Sequence, residues 1–510
     1  MSYFYMRDDE FLTSDINKTF GELLRSSDRE FSKWVDDFCS EITEQWDTKD
    51  HPPKVGVRIE EVGSEFERVC NVDTSKMWFK DELTRLRDCV IDTSNITIAS
   101  NFFPNILKAK DTVGNGKAIS VYDLYSDPKC RSTILKILTR SIKKDTFYTF
   151  SPVYKCPPTF TGNLRKEALR FVEDTLTKES SGTGNQSLWL ELVLKNERRI
   201  PRISGLEIKS LHERGLLTKV HLGGINPTSV DDTSLFRIRP YGIKDKSLKV
   251  IPTIFGKVEL GASSAPTNFP VANARLLYKY ITDRFKDQNE IVIYDPSMGF
   301  GGRLLGALSL RDRSIHYVGT DPNTGNWLPE IGISRYEYME RVFKSHIRSG
   351  KEFKGTYLCS GSEEVSKLSE FQKFKGKVDF VFTSPPYFAA EIYSDEATQS
   401  SIKYKEYESW RDKFLRPTLT TCVEWLKNDR HLAFNIADVT IGAKQYPLEE
   451  DTVQILKELG LSYEGKLKMV LTRSPSMKVH KNLRHPNMKN FCVINGKWRK
   501  YEPIFIFYKS

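Results

Sequence analysis

The sequence predicts an α/β protein. Its C-terminal half reads as a Rossmann-like, doubly wound sheet, and a mixed, mainly helical region precedes it. Three observations carry this expectation. From about residue 255, short apolar runs alternate with helical stretches, the pattern of a parallel sheet with crossover helices. The first of those runs ends in a glycine-rich turn that opens a helix. The fourth ends in two consecutive prolines followed by an aromatic ring.

The strands read in order. "NEIVIYDPSMGFGGRLLGALSL" is strand, turn and helix, and "SIHYVGTDPN" is a second strand ending in an acid. "GTYLCSGSEEV", "VDFVFTSPPY" and "DRHLAFNIAD" supply the third, fourth and fifth. "SRYEYMERVFKSHIRSG" and "WRDKFLRPTLTTCVEWLKN" are helical stretches between them. Ligands of such sheets bind beyond the carboxyl ends of the strands, so strand-terminal residues are the ones to read for chemistry.

Before this region the pattern differs. "DREFSKWVDDFCSEITEQW" places Phe31, Trp34, Val35, Phe38, Ile42 and Trp46 at helical spacing, as a core stripe. "SGLEIKSLHERGLL" reads as a helix with a glycine cap, or as part of a small helical DNA-reading unit. "SSGTGNQ" is a loop by composition, and "PYGIKDKSLKVIP" at 240–252 is a connector. The expected division is therefore 1–250, for target recognition or partner binding, and 251–510, the catalytic domain.

The chain has 510 residues and a net charge of +10, a mild bias toward a polyanionic partner. Residues 465–510 hold eleven Lys/Arg against one acid, Glu502, so the excess is concentrated near the end. No run approaches the roughly 18 apolar residues of a membrane span, and the N-terminal stretch does not read as a signal peptide. A cytoplasmic protein is expected. The eight cysteines show neither CxxC pairs nor zinc spacing, so reduced, unligated thiols are expected and no metal is assigned.

The glycine turn, "DPSMGFGG", discriminates among nucleotide-like ligands. Gly299 and Gly301 let the backbone approach a ligand, and the helix that follows offers free N–H groups to an anion. A dinucleotide fingerprint would need a third glycine at 304, where Leu304 stands, and no P-loop lysine follows. Asp295-Pro296 before the turn suits a ligand with an amino acid group, its ammonium on the aspartate and its carboxylate on the loop amides. S-adenosylmethionine carries both. Asp321, closing the second strand, is placed to accept from two ribose hydroxyls. Gly361, Ser362 and Glu363, after the third, lie where an adenine would sit.

The proline turn answers to a different chemistry. Two prolines make a stiff, extended corner with fixed carbonyl directions. An exocyclic amine of cytosine or adenine is a poor nucleophile because its lone pair is delocalised into the ring. Acceptors from Ser384 and the Pro385 carbonyl, aimed at the amine hydrogens, free that lone pair. Tyr387, with Phe388 beside it, would stack on the base. A base cannot present its amine this way inside a duplex, so it is flipped out.

On these residues the chain resembles the S-adenosylmethionine-dependent DNA amino-methyltransferases, which methylate cytosine N4 or adenine N6. "DPSMGFGG" at 295–302 looks like the family's cofactor loop, and "SPPY" (Ser384, Pro385, Pro386, Tyr387) like its catalytic tetrapeptide. "SAPTNFPVANARLLYKY" is similar to its second cofactor-binding segment, with Asn268, Phe269 and Pro270 at the start of the helix, and "YEPIFIFYK" resembles its last strand. The resemblance covers roughly 255–510. Serine in the first tetrapeptide position is commoner for cytosine N4. The motif order, and Ser297, Phe300 and Gly302 in the cofactor loop, depart from the commoner forms. The resemblance implies site-specific methylation of double-stranded DNA, with a restriction enzyme as a possible further partner. The alternatives are an RNA base N-methyltransferase, for example on guanine N2, and a DNA-binding protein or enzyme that transfers another group.

Two further stretches bear on the target. "RSPSMKVHKNLRHPNMKN" offers Arg473, Lys478, Lys481, Arg484 and Lys489 as phosphate contacts. Residues 393–410, after the proline turn, read as a mobile lid or base-flipping loop.

Overall fold

The computed structural model describes residues 23, 26–49, 62–111 apart from 93, 95 and 97, 120–129, 131–132, 135, 148–153, 202–215, 226–232, 235–240, 268–329, 332–346, 351–471, 477–478 and 489–510. The chain divides into two compact units.

The first unit takes the described residues of Gly56–Leu124 and Val258–Ser510. Its sheet is built from β1 (Trp78–Phe79), β2 (Cys89–Ile91), β3 (Ile291–Asp295), β4 (Ile315–Thr320), β5 (Phe353–Leu358), β6 (Val378–Thr383), β7 (Leu426–Asn435), β8 (Ser462–Val470), β9 (Phe491–Ile494) and β10 (Lys497–Lys509). The order across the sheet is β1-β2-β8-β10-β7-β6-β3-β4-β5, with β9 pairing β10 as a hairpin. Strands β5, β4, β3, β6 and β7 run parallel, while β10 is antiparallel to both β7 and β8. The five parallel strands are those expected from the alternation of apolar and helical runs. β4 and β6 are buried at every position, as strands covered on both faces must be.

Helices α1 (Val62–Cys70), α2 (Val271–Thr282), α3 (Gly302–Leu308), α4 (Arg335–Lys344), α5 (Arg416–Trp425) and α6 (Leu448–Glu458) belong to the same unit. One core holds β3 and β6 side chains with α1 to α4, including Tyr278, Leu304, Met339 and Phe382. The other holds Tyr294, Val381, Trp425 and Phe434 with α5 and α6. The sheet reverses its winding between β3 and β6, and this crevice opens at their carboxyl ends.

The expected boundary near residue 250 needs correction. The described residues of Gly56–Leu124 group with the sheet unit rather than with the rest of the N-terminal half. β2 adds a parallel strand to β8, and the buried Lys468 of β8 lies 2.8 Å from both Asp81 and Asp88. Phe66 of α1 packs on Phe343 of α4 with ring centroids 4.8 Å apart. Burying a lysine is costly unless it is paired, so the two aspartates tie this segment to the sheet.

The second unit takes the described residues of Phe11–Val55 and Tyr125–Lys257. The helix Asp28–Lys49 forms as its periodicity predicts, with Phe31, Trp34, Val35, Phe38 and Ile42 buried. Strands Tyr148–Val153 and Arg202–Ser204 pair antiparallel with Leu235–Pro240 between them. The helix Gly205–Glu213 starts at a capping box of Ser204 and Glu207, and Gly215 follows it at φ 71°. "SSGTGNQ", the residues at 216–225 and the connector beyond Pro240 lie outside the described residues.

Candidate active site

One open cleft of about 1160 Å³ lies at the carboxyl ends of β3, β4, β5, β6 and β7. Pro296, Ser297 and Gly299 of the glycine turn line it, and so do Ser384, Pro386 and Tyr387 of the proline turn. The two corners therefore share one cavity. Asn268, Phe269, Asp321 and Ser362 also line it. Asp295, Gly301, Pro385 and Phe388 are not among the lining residues.

The glycine corner is held by internal partners. Asp295 is fully buried and accepts from Arg303 Nε at 2.8 Å, Arg303 Nη2 at 3.2 Å, Tyr317 Oη at 2.6 Å and the Ser297 amide at 3.2 Å. Arg303 also donates to the Ser297 carbonyl. The expectation that Asp295 meets a ligand ammonium is corrected here. A buried carboxylate needs a cation, and α3 supplies one from eight residues down the chain. Burial works against the guanidinium charge, but Asp295 outweighs it and holds the Arg303 pKa above its usual value.

Gly301 is structural as well. It caps α3 at φ 76°, and a Cβ there would stand 2.6 Å from the Phe103 ring. Asn268 clamps the turn from α2's leading edge: its Nδ2 donates to the Phe300 carbonyl at 2.6 Å, and its Oδ1 accepts from the Gly302 amide at 3.1 Å. Phe269 sets its ring edge-on to Phe382 of β6.

Asp321 behaves differently from Asp295, having no cation. Its Oδ2 accepts from the Gly299 amide at 2.9 Å, and its Oδ1 from Asn323 N at 3.0 Å and Asn326 Nδ2 at 3.2 Å. Burial dominates these donors and pushes its carboxyl up to about 7. Farther along the wall, Ser362 Oγ bonds Thr418 Oγ1 at 2.8 Å. Glu363 takes Lys403 at 2.9 Å and Tyr404 at 3.2 Å on Oε1. Its Oε2 is buried with no partner among the described residues, as are Gln399 Nε2 and Ser400 Oγ, all from cavity-lining residues. Leaving a buried polar atom unpaired costs about 1–3 kcal/mol, so this end of the cavity is suited to a ligand edge that bears donors and acceptors.

At the proline corner, Ser384 Oγ donates to Asn435 Oδ1 at 3.1 Å, and Tyr387 Oη approaches the same oxygen at 3.3 Å. Asn435, the last residue of β7, is oriented by its Nδ2 donating to the Pro503 carbonyl at 3.0 Å. The Ser384 hydrogen is thereby engaged, and the hydroxyl lone pairs are left as acceptors. Phe388 corrects an expectation. It turns away at φ 54° and is 4% exposed, packed against Tyr407, Trp410 and Tyr446 rather than facing a base. With Tyr387 facing the cavity, the next ring falls on the apolar side of the turn.

The sequence reading missed several lining residues. Arg303, Glu391, Asn435 and Glu502 come from α3, the segment after the proline turn, β7 and β10. No local pattern marks them. The ionisable residues of the wall include the carboxyls Asp321, Glu363, Glu391 and Glu502 and the cation Arg303, which Asp295 neutralises. Of these, Glu363 is paired with Lys403, and burial favours the neutral form of Asp321.

The remaining expectations concern the surroundings. Lys489 is paired with Asp438 and Glu449. Lys478 lies in a short strand paired with β10, while Arg473, Lys481 and Arg484 lie outside the described residues. The segment expected as a mobile lid is tied down. Glu396 accepts from Thr324 N at 3.0 Å and Thr324 Oγ1 at 2.8 Å, and Glu391–Ile392 pairs with Lys110–Asp111.

No protein-family model and no curated protein matches this chain. Solved structures similar to parts of it include an S-adenosylmethionine-dependent O-methyltransferase of Thermotoga maritima, at 11% identity and a TM-score of 0.27 over 55% of this chain and 76% of that one. TrmN of Thermus thermophilus is similar at 12% identity and 0.26, over 55% and 57%. A protein provisionally described as a DNA modification methylase of Thermus thermophilus is similar at 18% identity and 0.18, over 29% and 51%. These scores are low, and the α/β assignment stands on the chain's own sheet order.

Proposed function

We propose that this protein is an S-adenosylmethionine-dependent methyltransferase acting on an exocyclic amine of a nucleic-acid base, with DNA cytosine N4 favoured over adenine N6. The observation that carries this reading is the shared cavity of the glycine and proline corners, with the Ser384 hydrogen engaged by Asn435. When bound, the cofactor supplies an electrophilic methyl group. Its sulfonium and ammonium suit a wall of carboxylates. Asp321 is the ribose acceptor, as an acid at the end of the second parallel strand, and the unpaired Glu363 Oε2 takes a donor from the adenine edge. With Asp295 occupied by Arg303, the ammonium falls to the other carboxylates of the wall.

The chain's own groups then prepare the amine. Ser384 Oγ accepts one of its hydrogens, which localises the lone pair on nitrogen. Tyr387 provides the stacking face. The basic residues near 473–484 are the candidates for holding the phosphates, and the second unit is the candidate for target recognition.

Mass spectrometry of nucleosides from a strain expressing the protein tests the reading. N4-methylcytosine in DNA is the expected product. N6-methyladenine changes the base, N2-methylguanosine in RNA selects the alternative substrate, and unmodified nucleic acid of both kinds contradicts the function.

A further inference from the structure

The geometry points to Glu502 of β10 as the group that takes the proton released by the target amine. This rests on the methyltransferase reading and adds a residue to it. β10 runs antiparallel to β7, with Ile504 opposite Asn435, the end of β7. Glu502 is two residues farther along, past the carboxyl edge of the parallel strands, and lines the cavity with Ser384, Tyr387 and Asn435. Tyr387 carries the ring assigned to the base. It is the one acid in residues 465–510.

Its surroundings suit a proton acceptor. Met469 of β8 is its register partner. Lys500 on its own strand and the Tyr387 hydroxyl favour the charged form, but burial outweighs both and raises its pKa. Glu391 also acts on Tyr387, and Arg303 is bound to Asp295. The proposed step is a proton transfer. An N–H bond of the methylated amine breaks, its electron pair stays on nitrogen, and the proton joins a Glu502 oxygen. The acid then returns it to water through the open mouth. Asn435 has no titratable group, and the Ser384 hydrogen is already engaged.

Full-length wild type, Glu502→Gln and Glu502→Asp are compared between about pH 5 and 9, the range in which a tuned carboxylate base titrates. Two readouts are taken: kcat on total DNA and on tRNA from an unmodified host, and thermal melting without cofactor. Glu502→Gln should lower kcat about 100-fold or more and remove its acidic limb, while Glu502→Asp retains part of the activity. The folded-state pKa is raised, so Glu502 contributes stability below its unfolded pKa that is lost as pH rises through the folded value. Wild type should therefore lose stability over that window relative to Glu502→Gln. A Gln variant within about threefold of wild-type kcat overturns the proposal, and so does a loss confined to KM or a flat melting difference. A wild type that methylates neither substrate refutes the methyltransferase reading instead, before any variant is made.

Discussion

The two corners of the cavity use their polar groups in opposite ways. At the glycine corner Asp295 is saturated: Arg303, Tyr317 and the Ser297 amide occupy both oxygens. At the proline corner Ser384 and Tyr387 share the Asn435 side-chain oxygen and line the cavity. Both motifs end buried parallel strands of one sheet. The difference lies in what the next element delivers. α3 carries a cation back to the strand end it has just left, whereas the prolines carry the chain away from β6 with no such group. A strand-terminal acid can thus be a structural pivot, and the residues open for chemistry are those whose neighbours leave them unfinished.

The largest effect separating the corners should come from Ser384→Ala and Tyr387→Ala. Either should lower methyl transfer by about 100-fold or more, because positioned acceptors act mainly on the transition state. Cofactor Kd should change by less than about threefold, as read by calorimetry. Unchanged turnover in both variants would remove the proline corner from catalysis.

The converse experiment strikes the glycine corner. Asp295→Asn leaves Arg303 buried without its counter-charge and should cost about 3–5 kcal/mol in urea unfolding. The double change Asp295→Leu with Arg303→Met should recover most of that loss, since a buried pair is often replaceable by apolar residues. If Asp295 instead held the ligand ammonium, the double variant would be stable but unable to bind cofactor.

A smaller effect probes the tether. Asn435→Ala releases the Ser384 hydrogen and should lower kcat about tenfold, the worth of one hydrogen bond of roughly 1–1.5 kcal/mol. Its effect should be largely lost in a Ser384→Ala background, where there is no hydroxyl left to orient. Additive losses would separate the two residues.

A separate effect, read in stability rather than turnover, is a pH slope. Burial raises Asp321 to about 7, above its unfolded value of about 3.9. Its contribution to cofactor-free stability is present below the unfolded value and is lost as pH rises through about 7. Melting temperatures of wild type should fall relative to Asp321→Asn across that window, and parallel curves would contradict the assignment.

Much of this was legible in the sequence where local pattern decides. The five parallel strands show as apolar runs between helical stretches, and the glycine and proline turns mark two of their ends. Asn268 and Ser362 were also found, though both hold neighbouring protein groups as well as lining the cavity. What escaped depends on pairing across the sheet. Asn435 meets Ser384 from 51 residues away, and Glu502 reaches the site only because β10 inserts antiparallel beside β7. β2 is three residues long with no periodicity to read, yet it joins the described residues around it to the sheet. Phe388 was misjudged because adjacent aromatic rings in a turn fall on opposite sides, and only one side here is the cavity.

On the proposed function, a single ligand spans both corners. Photo-crosslinking of methyl-labelled S-adenosylmethionine to the full chain, with peptide mapping, tests it most directly. Label is expected on the peptide carrying Tyr387, lost in Tyr387→Ala while the adenine end still binds. Label confined to peptides outside the cleft, or saturable binding with none near the proline corner, would contradict it.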